Sequence, residues 1–322
     1  MKTTAKILLR TAGAVGAAAF GTCLLIDELL LNRKFIPSPE FSAKVTGCDM
    51  SHLEEATKKG IAALEEYGLE RIYMLSNRGQ KLTGYIMRPE KESKVYAFCA
   101  HGYRSDGRGE FCKIAHYYLS KGINVFMPDH VASGESEGLH CTFGYYETLD
   151  CLKWLAYLKD TFGSDITFIL HGVSMGAATV MMMSGSDKLP ENVKMTVADC
   201  GYSTAIDEFT EKLDAMKLPS KLIIEGVNAV NKLCLRFDFK DIRPVDSVKN
   251  AKIPMLFVHG TGDTFIPQRM SEECYEACGS EYKELLLIEG ADHAQSFPTD
   301  KETYSKKLDE FIDRFVLTTE KA

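Results

Sequence analysis

The sequence lacks the excess of basic charge that binding to nucleic acid requires. Its 322 residues carry 38 Lys and Arg against 45 Asp and Glu, a formal net charge of −7. A mildly acidic balance argues against a nucleic-acid partner, whose binding needs a basic stripe to neutralise phosphates. Cysteine is too dilute for a disulfide scaffold: 10 are spread along the chain, none in the C-x-x-C pairing of a zinc site. They read as buried free thiols. Cys274 and Cys278 share a helix face, but two ligands make no metal centre. Internal repeats and low-complexity tracts are also missing, which removes repeat arrays. A chain 45% hydrophobic and 26% charged is globular rather than disordered.

Nor does any uncharged apolar run reach the ~20 residues that span a bilayer comfortably. The nearest is Thr11–Ile26, preceded by Lys2, Lys6 and Arg10 and closed by Asp27 and Glu28. Ile7–Leu9 and Leu29–Leu31 extend it if Arg10 snorkels to the interface. Residues 1–31 are therefore expected to be a signal-anchor, a single membrane-spanning segment that ties the protein to a membrane. The basic flank would leave the carboxyl-terminal domain outside the cytoplasm. A secreted protein cleaved after Ala17-Ala18-Ala19, or a helix lying on the protein or membrane surface, with a cytoplasmic domain, are the alternatives. Residues 32–69 read as a linker and one helix, opened by the capping box Ser51-His52-Leu53-Glu54.

From residue 70 the chain alternates strand and helix. Glu70–Ser76 and Lys81–Met87, split by Asn77-Arg78-Gly79-Gln80, read as a hairpin. Short apolar runs follow at Val95–Ala100, Asn124–Met127, Ile166–Leu170, Met195–Ala198, Met255–Val258 and Leu285–Ile288. Each is continuous rather than alternating, as in strands covered on both faces. With helical stretches such as Gly144–Leu158 and Ser271–Cys278 between them, the order implies an α/β fold. It is a mostly parallel, doubly wound sheet entered by an antiparallel hairpin. Ligands of such sheets sit at the carboxyl ends of the strands.

Three strand ends carry the chemistry. His171-Gly172-Val173-Ser174-Met175-Gly176 is a G-x-S-x-G sequence between strand and helix, a context that exposes a serine hydroxyl on a sharp turn. His259-Gly260-Thr261-Gly262-Asp263 sets a carboxylate in a Gly-rich loop, able to orient an imidazole. Glu289-Gly290-Ala291-Asp292-His293 supplies a histidine able to act as general base. The order Ser174, Asp263, His293 is that of a nucleophile, acid and base on this topology.

At these residues the sequence resembles the α/β-hydrolase superfamily, from about Glu70 to the carboxyl end. His101-Gly102-Tyr103 and Pro128–Gly138, similar to a P-D-x-R-G-x-G-x-S-x-G turn, extend the likeness, with Val131-Ala132 where many relatives carry Arg-Gly. The subgroup it is most similar to is the membrane-anchored bacterial serine hydrolases, described as esterases or acylaminoacyl-peptidase-like proteins. The resemblance implies catalytic Ser174, Asp263 and His293, and an oxyanion hole of the Tyr103 and Met175 backbone N–H groups. It leaves Asp199, where some relatives place the acid, as a lesser candidate. Tyr202, Phe265 and Ile266 are expected to touch substrate. Arg104 reads as solvated, His101 as structural, Met181-Met182-Met183 as core, and His130 and His140 have no assigned role.

Between about residues 203 and 249, Ile206–Met216 and Leu222–Cys234 have helical spacing around Leu218-Pro219-Ser220. They are expected to form a small cap inserted in the domain of residues 70–322. The function expected is hydrolysis of small-molecule carboxylic esters, with short to medium acyl or aromatic groups, through an acyl-enzyme on Ser174. An aminoacyl peptidase or amidase and an acyltransferase are the alternatives. No metal or organic cofactor is called for.

Overall fold

Continuous apolar runs become strands buried from both sides, and the protein is built on eight of them. The structure, a computed structural model, describes residues 20–35 and 54–317. The strands are β1 Glu70–Leu75, β2 Lys81–Met87, β3 Val95–Ala100, β4 Asn124–Pro128, β5 Thr167–Val173, β6 Val193–Asp199, β7 Met255–Gly260 and β8 Lys283–Ile288. They form one sheet in the order β1-β2-β4-β3-β5-β6-β7-β8. Strand β2 is antiparallel to both β1 and β4, and the remaining pairs are parallel. The order reverses between β3 and β5, so their carboxyl ends open the crevice where such sheets bind ligands.

Strand β3 shows how the pattern becomes two cores. All of its residues are buried. Tyr96, Phe98 and Ala100 pack on one face with Phe126 and Trp154. Val95, Ala97 and Cys99 pack on the other with Tyr118, Tyr304 and Phe311. The first face is covered by α3 (Tyr145–Phe162), α4 (Met175–Ser184) and α7 (Gln268–Ala277), the second by α2 (Glu54–Tyr67) and α8 (Lys301–Phe315). Each fully buried aromatic contributes on the order of 2–3 kcal/mol. Trp154 meets Phe126 edge-on at 5.1 Å.

A third apolar cluster stands above the carboxyl edge. It joins Met175 and Tyr202 to Phe143, Val227, Leu235, Phe237 and Phe239. The long connection from β6 to β7 supplies much of it through α5 (Ala205–Ala215), capped by the Thr204 hydroxyl on the Asp207 N–H, and α6 (Ser220–Val230). A π-helical turn, Asn231–Leu235, follows.

The expectation for residues 1–31 requires correction from residue 20 onward. Residues 20–31 form a helix, α1, laid on the globule with Asp27 and Leu31 buried. Its last turn is held by specific contacts. The Tyr103 hydroxyl donates to the Leu30 carbonyl, Arg104 Nη2 to the Leu29 carbonyl at 2.7 Å, and the Cys141 N–H to the Leu31 carbonyl at 3.0 Å. Just beyond, Arg33 donates to the Ser136 and Gly134 carbonyls, both at 2.6 Å. A helix end whose carbonyls are satisfied by the domain is part of that domain. Among the described residues no helix is long and apolar enough to cross a membrane. The remainder of the proposed anchor, residues 1–19, and the Ser51 cap lie outside the described residues.

Candidate active site

The turn from β5 into α4 is forced by two close approaches. A Cβ on Gly172 would lie 2.1 Å from the Gly176 carbonyl oxygen, and one on Gly176 would lie 1.9 Å from that of Ala100. Only glycine lets the helix press so near β3 and β5. Strand β5 runs through Val173, past the sequence-based boundary at Leu170, so Ser174 takes the whole reversal in one residue at φ 57 and ψ −119. Its N–H donates to the Asp199 carbonyl at 2.8 Å. Gly176→Ala should lower stability by at least ~1–3 kcal/mol through overpacking. A melting curve unchanged by the substitution would show that this contact does not hold the turn.

Ser174, Asp263 and His293 are brought together. The Ser174 hydroxyl is 3.0 Å from His293 Nε2, and His293 Nδ1 is 2.8 Å from Asp263 Oδ2. With Nδ1–H donating to the carboxylate, Nε2 is left to accept the serine proton. Asp263 is itself clamped. Its Oδ1 accepts the N–H groups of Phe265 at 2.8 Å and Ile266 at 2.9 Å. Burial raises its pKa, but hydrogen bonds from His259 and His293 outweigh this and hold it well below the usual carboxylate range.

Sequence reasoning missed His259. Its Nε2 donates to the Ile266 carbonyl at 2.9 Å and lies 3.3 Å from Asp263 Oδ2, while Nδ1 meets the Ser271 hydroxyl at 2.7 Å. Burial lowers its pKa, yet its hydrogen bond with Asp263 and that group's charge raise it on balance. The available signal was its place at the end of the β7 run, four residues before Asp263.

Asp199 stands apart from the imidazole. Its carboxylate accepts the Ser296 hydroxyl at 2.9 Å and the Tyr304 hydroxyl at 3.0 Å. His171 continues this buried chain, with Nε2–H toward Tyr304 and Nδ1 accepting from Tyr118 at 2.8 Å. Burial pushes His171 down to about 3 and Asp199 up to about 6. The chain ties α8 to the floor of the site.

Gly102 lies beside Ser174: a Cβ there would be 3.3 Å from the serine Cβ. Tyr103 follows it, and Met175 opens α4, in the first turn whose N–H groups have no intrahelical acceptor. The Tyr103 ring stacks on Phe143 at 4.7 Å. His101 secures this loop, with Nδ1 2.7 Å from the Gly102 carbonyl and Nε2 accepting the His130 N–H at 3.0 Å. Phe265 packs edge-on to His293 at 4.7 Å. Ile266 and Tyr202 are buried at 1% and 2% exposure, and the Tyr202 hydroxyl is used by the Phe143 carbonyl at 2.8 Å. Arg104 is exposed, as expected, and from the surface it also donates to the Leu29 carbonyl at the end of α1.

One group of described side chains could in principle hold a metal ion: Cys200, Asp263 and His293, whose ligand atoms lie within 4.8 Å of one another. Burial pushes the Cys200 thiol well up, which disfavours the thiolate a metal requires. All nine described cysteines are free.

The sheet order, the strained turn at Ser174 and the loops at the switch point define an α/β-hydrolase fold. A family model described as alpha/beta hydrolase fold matches residues 98–223. The chain has the α/β-hydrolase fold, and the proteins it is similar to include esterases. It is similar to the uncharacterized protein YqkD of Bacillus subtilis (strain 168), 28% identical over 243 residues, 75% of this chain and 78% of that protein. Caffeoylshikimate esterase of Arabidopsis thaliana is 25% identical over 289 residues, 76% of this chain and 85% of the relative. Esterase Pf2001 of Pyrococcus furiosus shares the fold at a TM-score of 0.63 and 22% identity, covering 78% of this chain and 94% of that one.

Proposed function

We propose that the protein hydrolyses carboxylic esters by acyl transfer through Ser174. The observation that carries this reading is His293 bridging the Ser174 hydroxyl at 3.0 Å and Asp263 at 2.8 Å. His293 takes the serine proton as the hydroxyl attacks the ester carbonyl. The Met175 and Tyr103 N–H groups stabilise the oxyanion, each by about 3–4 kcal/mol. His293 then protonates the departing alcohol, and water discharges the acyl-enzyme by the same route. Asp263 stays ionised throughout and holds the imidazole in the required tautomer.

Esters are the substrate class because their alcohol leaves readily, and the relatives bearing functional names include an esterase. The connection carrying α5 and α6 acts as a cap. Its Phe209 and Ile223, with Phe143 and Tyr103, belong to the same apolar cluster as Met175, a surface suited to a short to medium acyl or an aromatic group. The test is a panel of p-nitrophenyl esters of graded chain length set against aminoacyl p-nitroanilides. Turnover of the esters, peaking at one chain length and exceeding that of the anilides, is the expected result. Anilide cleavage outrunning every ester would replace the esterase reading with an aminopeptidase.

A further inference from the structure

Buried polar atoms without a partner are costly and rare in folded chains, yet several frame the carboxyl edge here. They are Asp27 Oδ1, Ser203 Oγ, Glu208 Oε2 and both side-chain atoms of Asn231. Glu208 is the one that interacts electrostatically with Asp263 and His293. It lies in the first turn of α5 at 5% exposure. It is not needed to cap that helix, because Asp207 already exchanges hydrogen bonds with Thr204.

Its neighbour one turn on, Lys212, stands 3.7 Å from Glu208 Oε1, beyond hydrogen-bond range. The Lys212 ammonium donates instead to the Phe265 carbonyl and lies 4.3 Å over the Phe265 ring. That ring is the one packed against His293. Glu208 is thus linked to the imidazole through Lys212 and the Phe265 ring, and one of its carboxyl oxygens is without a partner. Burial, with Asp263 adding and Lys212 and His293 opposing, pushes its pKa up to about 7. Its charge is therefore coupled to both triad members.

From this placement we infer that Glu208 selects esters whose alcohol portion carries a hydrogen-bond donor, a second hydroxyl or a protonated amine. The inference rests on the acyl-transfer reading, in which His293 faces the departing alcohol. A donor on that alcohol satisfies the orphaned oxygen, whereas an alkyl group of the same shape leaves it unsatisfied. A hydrogen bond to a charged group discriminates by about tenfold or more.

Two isosteric pairs test it: 2-hydroxyethyl against propyl hexanoate, and 2-(dimethylamino)ethyl against 3-methylbutyl hexanoate. The expected result is a kcat/KM at least about tenfold higher for the donor-bearing member of one or both pairs. Glu208→Leu should bring each ratio to within about twofold of unity, and its melting temperature should rise because an unpaired buried carboxyl is gone. Glu208→Gln, the closest variant in shape, separates the donors. Its amide oxygen keeps part of a hydroxyl preference, whereas an ammonium preference disappears with the charge. Ratios of unity in the wild type, or ratios that Glu208→Leu leaves untouched, overturn the inference.

If neither member of a pair is hydrolysed, the acyl-transfer reading fails. The binding preference is then read separately, from dissociation constants of the same esters with Ser174→Ala and Ser174→Ala/Glu208→Leu proteins by ligand-observed NMR. Equal affinities within each pair there overturn the selection by Glu208.

Discussion

Ser174→Ala is expected to abolish ester turnover, by about 10⁴-fold or more, and to eliminate covalent labelling by a fluorophosphonate probe. In the proposed mechanism the Ser174 hydroxyl is the atom that attacks, so its removal leaves no nucleophile. The Cys200 thiol lies within 4.8 Å of ligand atoms of Asp263 and His293, and burial keeps it protonated. The variant should remain folded. Alanine occupies the same turn, and the only side-chain hydrogen bond removed is the one to His293. Circular dichroism and the melting temperature check the fold, and labelling followed by mass spectrometry checks the nucleophile. Labelling that persists in the variant would move the nucleophile elsewhere.

Asp263→Asn should lower kcat by roughly 10³–10⁴-fold with KM little changed. The amide oxygen can still accept from Phe265 and Ile266, so the loop survives. Its NH₂ group then faces His293 Nδ1 and turns that nitrogen into the acceptor. Nε2 is left carrying the proton, pointed at Ser174, and cannot take another. The same NH₂ also faces His259 Nε2, which donates to Ile266. Asp199→Asn should cost turnover far less, because its carboxylate serves Ser296 and Tyr304 rather than the imidazole. Steady-state kinetics on one ester settles the comparison: equal losses at the two positions, or a larger one at Asp199, would transfer the orienting role.

The two aspartates also differ in their pH linkage. Asp263 has a depressed pKa, so the stability it contributes is present above the ordinary carboxylate value and is lost only as pH falls below it. Asp199 is raised to about 6. The folded state holds its proton more tightly than the unfolded chain does, so its contribution to stability declines as pH climbs from about 4 to 6. Asp199→Asn removes that decline.

Much of the architecture is legible in local pattern. Val95–Ala100 and Lys81–Met87 can be bounded from the sequence because both are followed by turn residues and neither has a charge in its interior. The β5 boundary is not legible. His171 and Gly172 look like loop residues, yet they continue the strand because Tyr118 and Tyr304 supply the imidazole with partners from distant helices. The placement of helix α1 is not legible for a related reason. An apolar segment beside basic residues has the same composition whether its partner is lipid or the body of the protein. Only the Tyr103, Arg104 and Cys141 contacts distinguish the two.

By itself, the sequence determined the alternation of buried strands with helices, and the serine, aspartate and histidine that follow three of those strands. Both are written in short-range periodicity and turn chemistry. The tertiary structure decided the rest: which carboxylate meets His293, that His259 braces it, that α1 is fastened to the loop carrying Tyr103, and that Glu208 is buried with an oxygen to spare. These depend on strand order and on contacts between residues far apart in the chain. A hydrogen bond is made or lost over a few tenths of an ångström, a distance that no local pattern encodes.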